Sequence, residues 1–414
     1  MSRLSSQQML YCRPLNSYVS RTMLETNTSS EFEDIRPYED AEVAEVLARL
    51  QADEELIDTL LKMQFGLLLP PFSWLLRKMA SAYLRRKLKH VKTVFDLQKV
   101  IRPYVERMVQ KTTGGFTVSG VENIDPEKSY LFISNHRDIA LDPALLNYAL
   151  VQNNMNTVRI AIGDNLLSRP FISDLMRLNK SFIVNRSATA PRQIFKATKQ
   201  LSAYIRHSVV NDKSSVWIAQ REGRAKNGAD ITEPVIIKML AMTKAKKTEA
   251  LHETIRNLHI VPVAISYEYD PCDAAKAREL SIKSDGGSYE KGEQEDAQSI
   301  ADGIRGEKGR VHIAIGSELV ADFQTVEEVA AAIDAQIVSL YQLFPSNYYA
   351  YDAVYNSDSQ AQALAEKHGW LMPGMRSQRA FFEARAENIE ASHRPFMLKM
   401  YAECLKRKLE YGVL

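Results

Sequence analysis

The sequence predicts an α/β fold, a mostly parallel central sheet flanked by helices, with an N-terminal helical region before it and a helical C-terminal tail after it. Three observations carry this. Six short runs of β-branched or aromatic residues lie between residues 129 and 316. Longer stretches with helical spacing separate them, the alternation expected of successive βα units. Over residues 39–113 and 325–414 the apolar residues recur at helical spacing. With 45% hydrophobic residues, a chain of 414 can bury a sizeable core.

Residues 1–38 show little periodicity and read as a partly ordered tail. Residues 39–113 read as the N-terminal helical region, where Val43, Val46, Leu47 and Leu50 form one apolar stripe. The segment FGLLLPPFSWLL, residues 65–76, is shorter than the ~18–20 apolar residues that cross a bilayer and is interrupted by Pro70 and Pro71. Followed by a basic run, it reads either as a segment lying in a membrane interface or as a buried helix end.

The α/β domain is expected over residues 114–324. Its strands fall at 129–134, 157–162, 181–185, 215–219, 260–267 and 310–316, with helices near 143–153, 168–178, 190–208 and 233–243. Asp142 followed by Pro143 resembles an N-cap and first-turn pair opening the first of these helices. Residues 284–309, rich in glycine and charge and poor in large apolar groups, read as mostly a surface excursion. Residues 325–414 form the helical C-terminal region, clearest in TVEEVAAAIDAQIVSLYQLF. No internal repeat occurs at solenoid spacing.

A net charge of +2 gives no global bias toward nucleic acid or acidic surfaces. Locally, residues 25–55 hold eleven acids and two bases, whereas residues 77–92 hold seven bases and no acid. These read as two solvated helix faces that pair with each other, or, for the basic run, as a surface held near anionic lipid. Cys12, Cys272 and Cys404 are far apart and lack C-x-x-C spacing, which argues against a disulfide framework and against a zinc site. Residues 1–18 lack the continuous apolar core of a signal peptide, so a cytoplasmic location is expected.

The chemistry concentrates in SNHRDIALDP, residues 134–143. A kinase catalytic loop would read H-R-D-L-x-x-x-N, but Pro143 stands where the asparagine is needed and no D-F-G follows. The other reading makes His136, just past a strand end, a general base oriented by an aspartate, Asp142 or Asp138. KSFIVNRS ends another strand with Arg186, and AQREGRAKNG ends the next with Arg221, Glu222, Gly223, Arg224 and Lys226. A guanidinium fork bonds two phosphate oxygens at once, and glycine admits close backbone approach. Any one of these arginines serves equally in solvation or in a pair with Glu222; the set beside a histidine points to transfer onto a phosphorylated alcohol.

In that order, SNHRDIALDP, KSFIVNRS, REGRAKNG and IVPVAISYEYDP resemble the four motifs of the glycerol-3-phosphate and 1-acylglycerol-3-phosphate (lysophosphatidate) acyltransferase family: N-H-x4-D, G-x-x-F-I-x-R, E-G-T-R or E-G-G-R, and a strand with a proline. There are two departures. His136 to Asp142 is H-x5-D, and Glu222-Gly223-Arg224 lacks the residue between glycine and arginine. The resemblance implies that His136 takes the acceptor hydroxyl proton while Asp142 steadies the imidazole. It further implies that Arg186 and Arg224 hold the acceptor phosphate, that Glu222 and Gly223 shape the acceptor loop, and that Pro262 lies on the fourth-motif strand with a packing or acyl-donor role. Lys226, Lys180 and Arg192 are neighbouring candidates that the motifs do not fix.

On this resemblance the donor is acyl-CoA or acyl-carrier protein, the acceptor is lysophosphatidate or glycerol-3-phosphate, and phospholipid synthesis is the setting. No covalent intermediate, metal or further cofactor is implied. A membrane surface met through residues 65–92 is the remaining partner, which would make the protein peripheral on the inner face of the cytoplasmic membrane. Two rivals are a non-catalytic lipid-binding scaffold on the same fold and acyl transfer to a non-phosphorylated acceptor.

Overall fold

Among the described residues seven strands form one sheet in the order β1-β7-β6-β2-β5-β3-β4, parallel throughout except where β6 and β7 pair antiparallel. The computed structural model describes residues 30–65, 73–244, 248–284, 286–292 and 294–414. The strands are β1 (Gly115–Ser119), β2 (Leu131–Ser134), β3 (Arg159–Gly163), β4 (Ser181–Val184), β5 (Val216–Ala219), β6 (Ile260–Tyr267) and β7 (Arg310–Ile315). Six coincide with the runs read from the sequence. Central strands of a covered parallel sheet are buried on both faces and so stand out as continuous apolar runs; every residue of β2 and β6 is buried. The seventh, β1, has no such run: it is an edge strand of alternating exposure, and its Thr117 and Ser119 hydroxyls bond the His312 ring on β7 at 2.7 and 2.9 Å.

Before the sheet come α1 (Val43–Ala52), α2 (Glu54–Phe65), α3 (Ser73–Leu88) and α4 (Val94–Thr112). The stripe Val43, Val46, Leu47 and Leu50 is buried, packing with Phe171 and Leu178. Of the segment 65–76, residues 66–72 lie outside the described residues. The basic run falls largely on α3, where Arg77 pairs with Asp58 of α2; in the acidic segment Glu33 and Glu42 pair with Arg36, and Glu55 with Arg169. Thr93 caps α4, its hydroxyl accepting from Asp96 N at 3.1 Å.

Helices α5 (Leu141–Gln152), α6 (Pro170–Leu178), α7 (Pro191–Arg206), α8 (Pro234–Leu240) and α9 (Leu251–Asn257) alternate with the strands. Successive β2 side chains enter opposite cores: Leu131 and Ile133 pack with α7, α8 and later helices, Phe132 with α4 and α5.

After β6 come α10 (Asp273–Ser284) and α11 (Glu295–Arg305), and after β7 come α12 (Val326–Leu340), α13 (Pro345–Tyr355), α14 (Ser359–Lys367), α15 (Arg376–Glu387) and α16 (Arg394–Tyr411). Residues 284–309 are mostly exposed, as expected of a surface excursion, but they include one ordered helix, α11. Its buried positions, Ser299 and Gly303, are small residues one turn apart, so the helix seats tightly without the bulky stripe that marks a buried face in sequence. The helices from α13 onward share a core of their own, built on Tyr348, Trp370, Phe382, Met397 and Leu405. Among the described residues no helix is long and apolar enough to cross a membrane.

Candidate active site

β2 ends at Ser134 and delivers the chain into a loop that returns as α5. Asn135 sets the direction of that loop: its amide donates to Ile265 O at 2.9 Å and accepts from Ile265 N at 2.8 Å, prolonging the β2–β6 pairing by one residue. His136 follows, its ring edge-on to the buried Trp217 of β5 at 5.7 Å between centroids. The Trp217 indole N–H is itself held by Ser134 Oγ at 2.9 Å. The imidazole thus stands at the end of a central strand, where a parallel sheet presents its reactive groups.

Asp142, fully buried, is the partner of that imidazole. Its Oδ2 lies 2.8 Å from His136 Nδ1 and also accepts the backbone N–H of Arg137 at 2.6 Å and of Asp138 at 3.0 Å. Its Oδ1 accepts the Tyr267 hydroxyl at 2.8 Å. A carboxylate only accepts, so Nδ1 carries the proton of the contact and Nε2 is the nitrogen left with a free lone pair. Burial, then the Asp142 charge, pushes the Tyr267 hydroxyl well above its usual range, so it remains a donor.

Asp138 has a different task. Its Oδ1 accepts the N–H groups of Ala140 and Leu141, both at 2.9 Å, and so closes the turn into α5. This corrects the reading of Asp142 and Pro143 as the cap pair: the helix begins at Leu141, the capping oxygen is Asp138's, and Asp142 lies within the first turn. The turn accommodates the long H-x5-D spacing. Burial and the neighbouring Asp142 raise the Asp138 carboxyl. Its second oxygen lies so close to Gly303 of α11 that a Cβ there would come within 2.2 Å of it.

The second and third motifs converge on the same end of the sheet. Asp164, after β3, accepts the backbone N–H of Arg186 and Ser187 at 3.1 Å each and so fixes the turn after β4. The Arg186 side chain crosses Gly163, where a Cβ would come within 3.1 Å of it, and its Nε lies 3.7 Å from Glu222 Oε1. Gly223 takes φ +71°, a left-handed turn with open space around it. Ala225 N donates to His136 O at 2.8 Å, which binds the third-motif loop directly to the histidine loop. Arg224 Nη1 donates to Ser299 Oγ of α11 at 2.5 Å.

Not all candidates join this group. Lys226 is already ion-paired with Glu279 of α10, which also takes Lys283 at 2.7 Å; burial lowers its amine while that partner opposes the fall. Lys180 is at the opposite end of β4 from Arg186, bonded to Thr157 Oγ1 at 2.8 Å, and burial pushes its amine down to about 8. Arg192 is exposed on the first turn of α7. Pro262 is buried in β6, in register with Ile133, its carbonyl accepting from Gly316 N at 2.8 Å.

Tyr267, Trp217 and Ser299 belong to this constellation and were not singled out in the sequence. Tyr267 carried a signal: a hydroxyl ending a buried strand needs a partner. Ser299 carried none. A crevice of ≈310 Å³ between α1 and α6, lined by Arg49, Leu50, Phe171 and Asp174 among others, contains none of the motif residues.

Fold and site together define a class: an α/β enzyme that presents a carboxylate-bound imidazole at the strand ends, with arginines on neighbouring loops. Residues 115–266, from the first residue of β1 to the penultimate residue of β6, match the Acyltransferase family. The resemblance read from the four motifs is thereby borne out: the chain carries an acyltransferase domain, and the protein is an O-acyltransferase. A solved structure, that of the 1-acyl-sn-glycerophosphate (LPA) acyltransferase PlsC from Thermotoga maritima, is similar at a TM-score of 0.33 and 12% identity, over 69% of this chain and 91% of that chain. No curated protein matches the chain.

Proposed function

We propose that this acyltransferase moves a fatty acyl group from an acyl-CoA or acyl-carrier-protein thioester to the hydroxyl of glycerol-3-phosphate or lysophosphatidate, in phospholipid synthesis. One observation carries the reading: the 2.8 Å contact between His136 Nδ1 and a fully buried Asp142, which leaves Nε2 free to act as base. Nε2 takes the acceptor's proton as its oxygen attacks the thioester carbonyl. The tetrahedral intermediate then collapses, the C–S bond breaks, and the thiolate leaves with the proton returned from the imidazolium. Asp142 stabilises the imidazolium between those events. The sequence of steps uses no covalent acyl-enzyme, no metal and no further cofactor. Arg186 and Arg224, on the loops beside His136, supply positive charge for the acceptor phosphate; Glu222 and Gly223 form the loop between them.

The test is thiol release from each donor with glycerol-3-phosphate and lysophosphatidate offered separately. Release is expected only with a phosphorylated acceptor. Arg224→Ala should raise the acceptor KM by about 10-fold or more, as for loss of a charge-assisted phosphate contact, with Arg224→Lys recovering only part. Activity confined to non-phosphorylated acceptors would refute the phosphate assignment.

The same reading places the protein in the cytoplasm, peripheral on anionic lipid. Supporting it, α3 exposes Trp74, Met79 and Tyr83 with Lys78 over the Trp74 ring at 5.2 Å and Lys87 over the Tyr83 ring at 5.8 Å. Apolar groups interleaved with lysines suit a lipid interface. Co-sedimentation with vesicles should be stronger for anionic than for zwitterionic lipid and should weaken in Trp74→Ser/Met79→Ser. Equal binding by that variant would remove α3 from the contact.

A further inference from the structure

The arginine that follows His136 does not face the acceptor side with Arg186 and Arg224. Its side chain is 6% exposed and runs inward, its Nη2 bonding Asp230 Oδ2 at 2.5 Å, Gly228 O at 3.3 Å and Cys404 Sγ of α16 at 3.3 Å, with the guanidinium 5.7 Å from the Tyr341 ring centroid. The Arg137 backbone is held equally firmly. Its N–H donates to Asp142 Oδ2, and its carbonyl accepts from the buried Lys276 ammonium at 2.7 Å, which in turn pairs with Asp270.

Helix α16 closes this arrangement from behind. Arg407 Nη1 donates to the carbonyls of Ala229 and Asp230, the latter at 2.7 Å. Tyr401 OH accepts from Asp270 N at 2.7 Å and donates to Asp273 at 2.9 Å. Gly228, at φ +80°, lets the third-motif loop reach the helix: a Cβ there would come within 2.1 Å of Met400 O. Asp230 also accepts from the Asn135 amide at 3.2 Å, so residues on both sides of His136 are tied to one carboxylate.

We infer that Arg137 is a positioning residue for the acyl-transfer base, and that α16 acts through it, locking the histidine loop and the third-motif loop into one rigid body so that the His136–Asp142 contact keeps its geometry. This rests on the reading of His136 as general base and assigns to the C-terminal helical region a part in catalysis rather than in folding alone. A buried charge with several fixed partners can hold a loop in one arrangement where apolar packing would tolerate several, the specificity that buried ionic groups supply in some proteins.

The test is Arg137→Met/Asp230→Asn, which removes both charges together and leaves an amide able to accept from Asn135. Removing the pair avoids the unpaired buried charge that would unfold a single variant. The full-length protein should remain folded, with donor KM within about two-fold of wild type. Its kcat should fall on the order of 10²-fold, the scale of a misplacement near an ångström. Because a loosened Asp142 contact stabilises the imidazolium less, the acid limb of the kcat profile should move to lower pH. Arg137→Lys, which keeps the charge but not the planar guanidinium over the Tyr341 ring, should recover part of the rate, and Cys404→Leu on α16 should reproduce a smaller loss without touching the dyad.

A folded double variant with wild-type kcat and an unmoved acid limb would overturn the inference and leave the network a packing device. His136→Ala, assayed alongside, separates the two readings: if it too retains full activity, the general-base assignment has failed and the inference falls with it.

Discussion

His136→Ala will lower kcat by about 10²- to 10⁴-fold, the contribution of a positioned general base, and will leave the protein folded. The structure separates the two effects. The imidazole side chain is 14% exposed and, among the described residues, its hydrogen bond is the one to Asp142, so truncation opens space at the solvent margin rather than in the core. Asp142 keeps the Arg137 and Asp138 N–H groups and the Tyr267 hydroxyl, three of its four donors. Steady-state thiol release beside thermal unfolding is the measurement. A folded variant with undiminished kcat would remove His136 from the mechanism.

Asp142 should respond differently, because its carboxylate serves the loop as well as the imidazole. In Asp142→Ala two backbone N–H groups and the Tyr267 hydroxyl lose their acceptor in a fully buried place. At ~1–3 kcal/mol for each orphaned group, the loss is about 3 kcal/mol or more, visible as a drop in Tm and in the denaturant midpoint. Asp142→Asn can keep one oxygen toward the two N–H groups and turn its amide to the Tyr267 oxygen, so it should fold. Without the charge it stabilises the imidazolium poorly, and kcat should fall on the order of 10² to 10⁴-fold, as when the aspartate of a catalytic triad is made neutral. The pair of variants therefore separates architecture from chemistry: the alanine variant loses stability and rate, the asparagine variant chiefly rate. An alanine variant as stable as wild type would contradict the hydrogen-bond arrangement described for the loop.

The sequence could nominate His136 and Asp142 because both lie within one short loop after an apolar run, and only the choice between Asp142 and Asp138 was open. That choice depends on which aspartate turns outward from the turn and which closes it. Asp138 takes the N–H groups of Ala140 and Leu141, and the imidazole is left to Asp142. Proximity along the chain is what nominates Lys226 and Lys180. Proximity along the chain says nothing of partners, and Glu279 and Thr157, 53 and 23 residues away, claim their ammonium groups.

By itself, then, the sequence determined the α/β class, six of the seven strands, the helical regions on either side and the motif blocks that resemble an acyltransferase. Each of these is a local property, a period of two or of 3.6 or a group of residue types within ten positions, and a local property survives in the chain without its neighbours. Only the tertiary structure decided that Arg137 faces inward to Asp230 and Cys404, 93 and 267 residues distant, that Tyr267 completes the Asp142 cradle, and that Ser299 and Gly303 bring α11 against the site. A charged or small side chain has no pattern that announces its partner: its role is set by whichever distant groups the packed elements bring within hydrogen-bond reach.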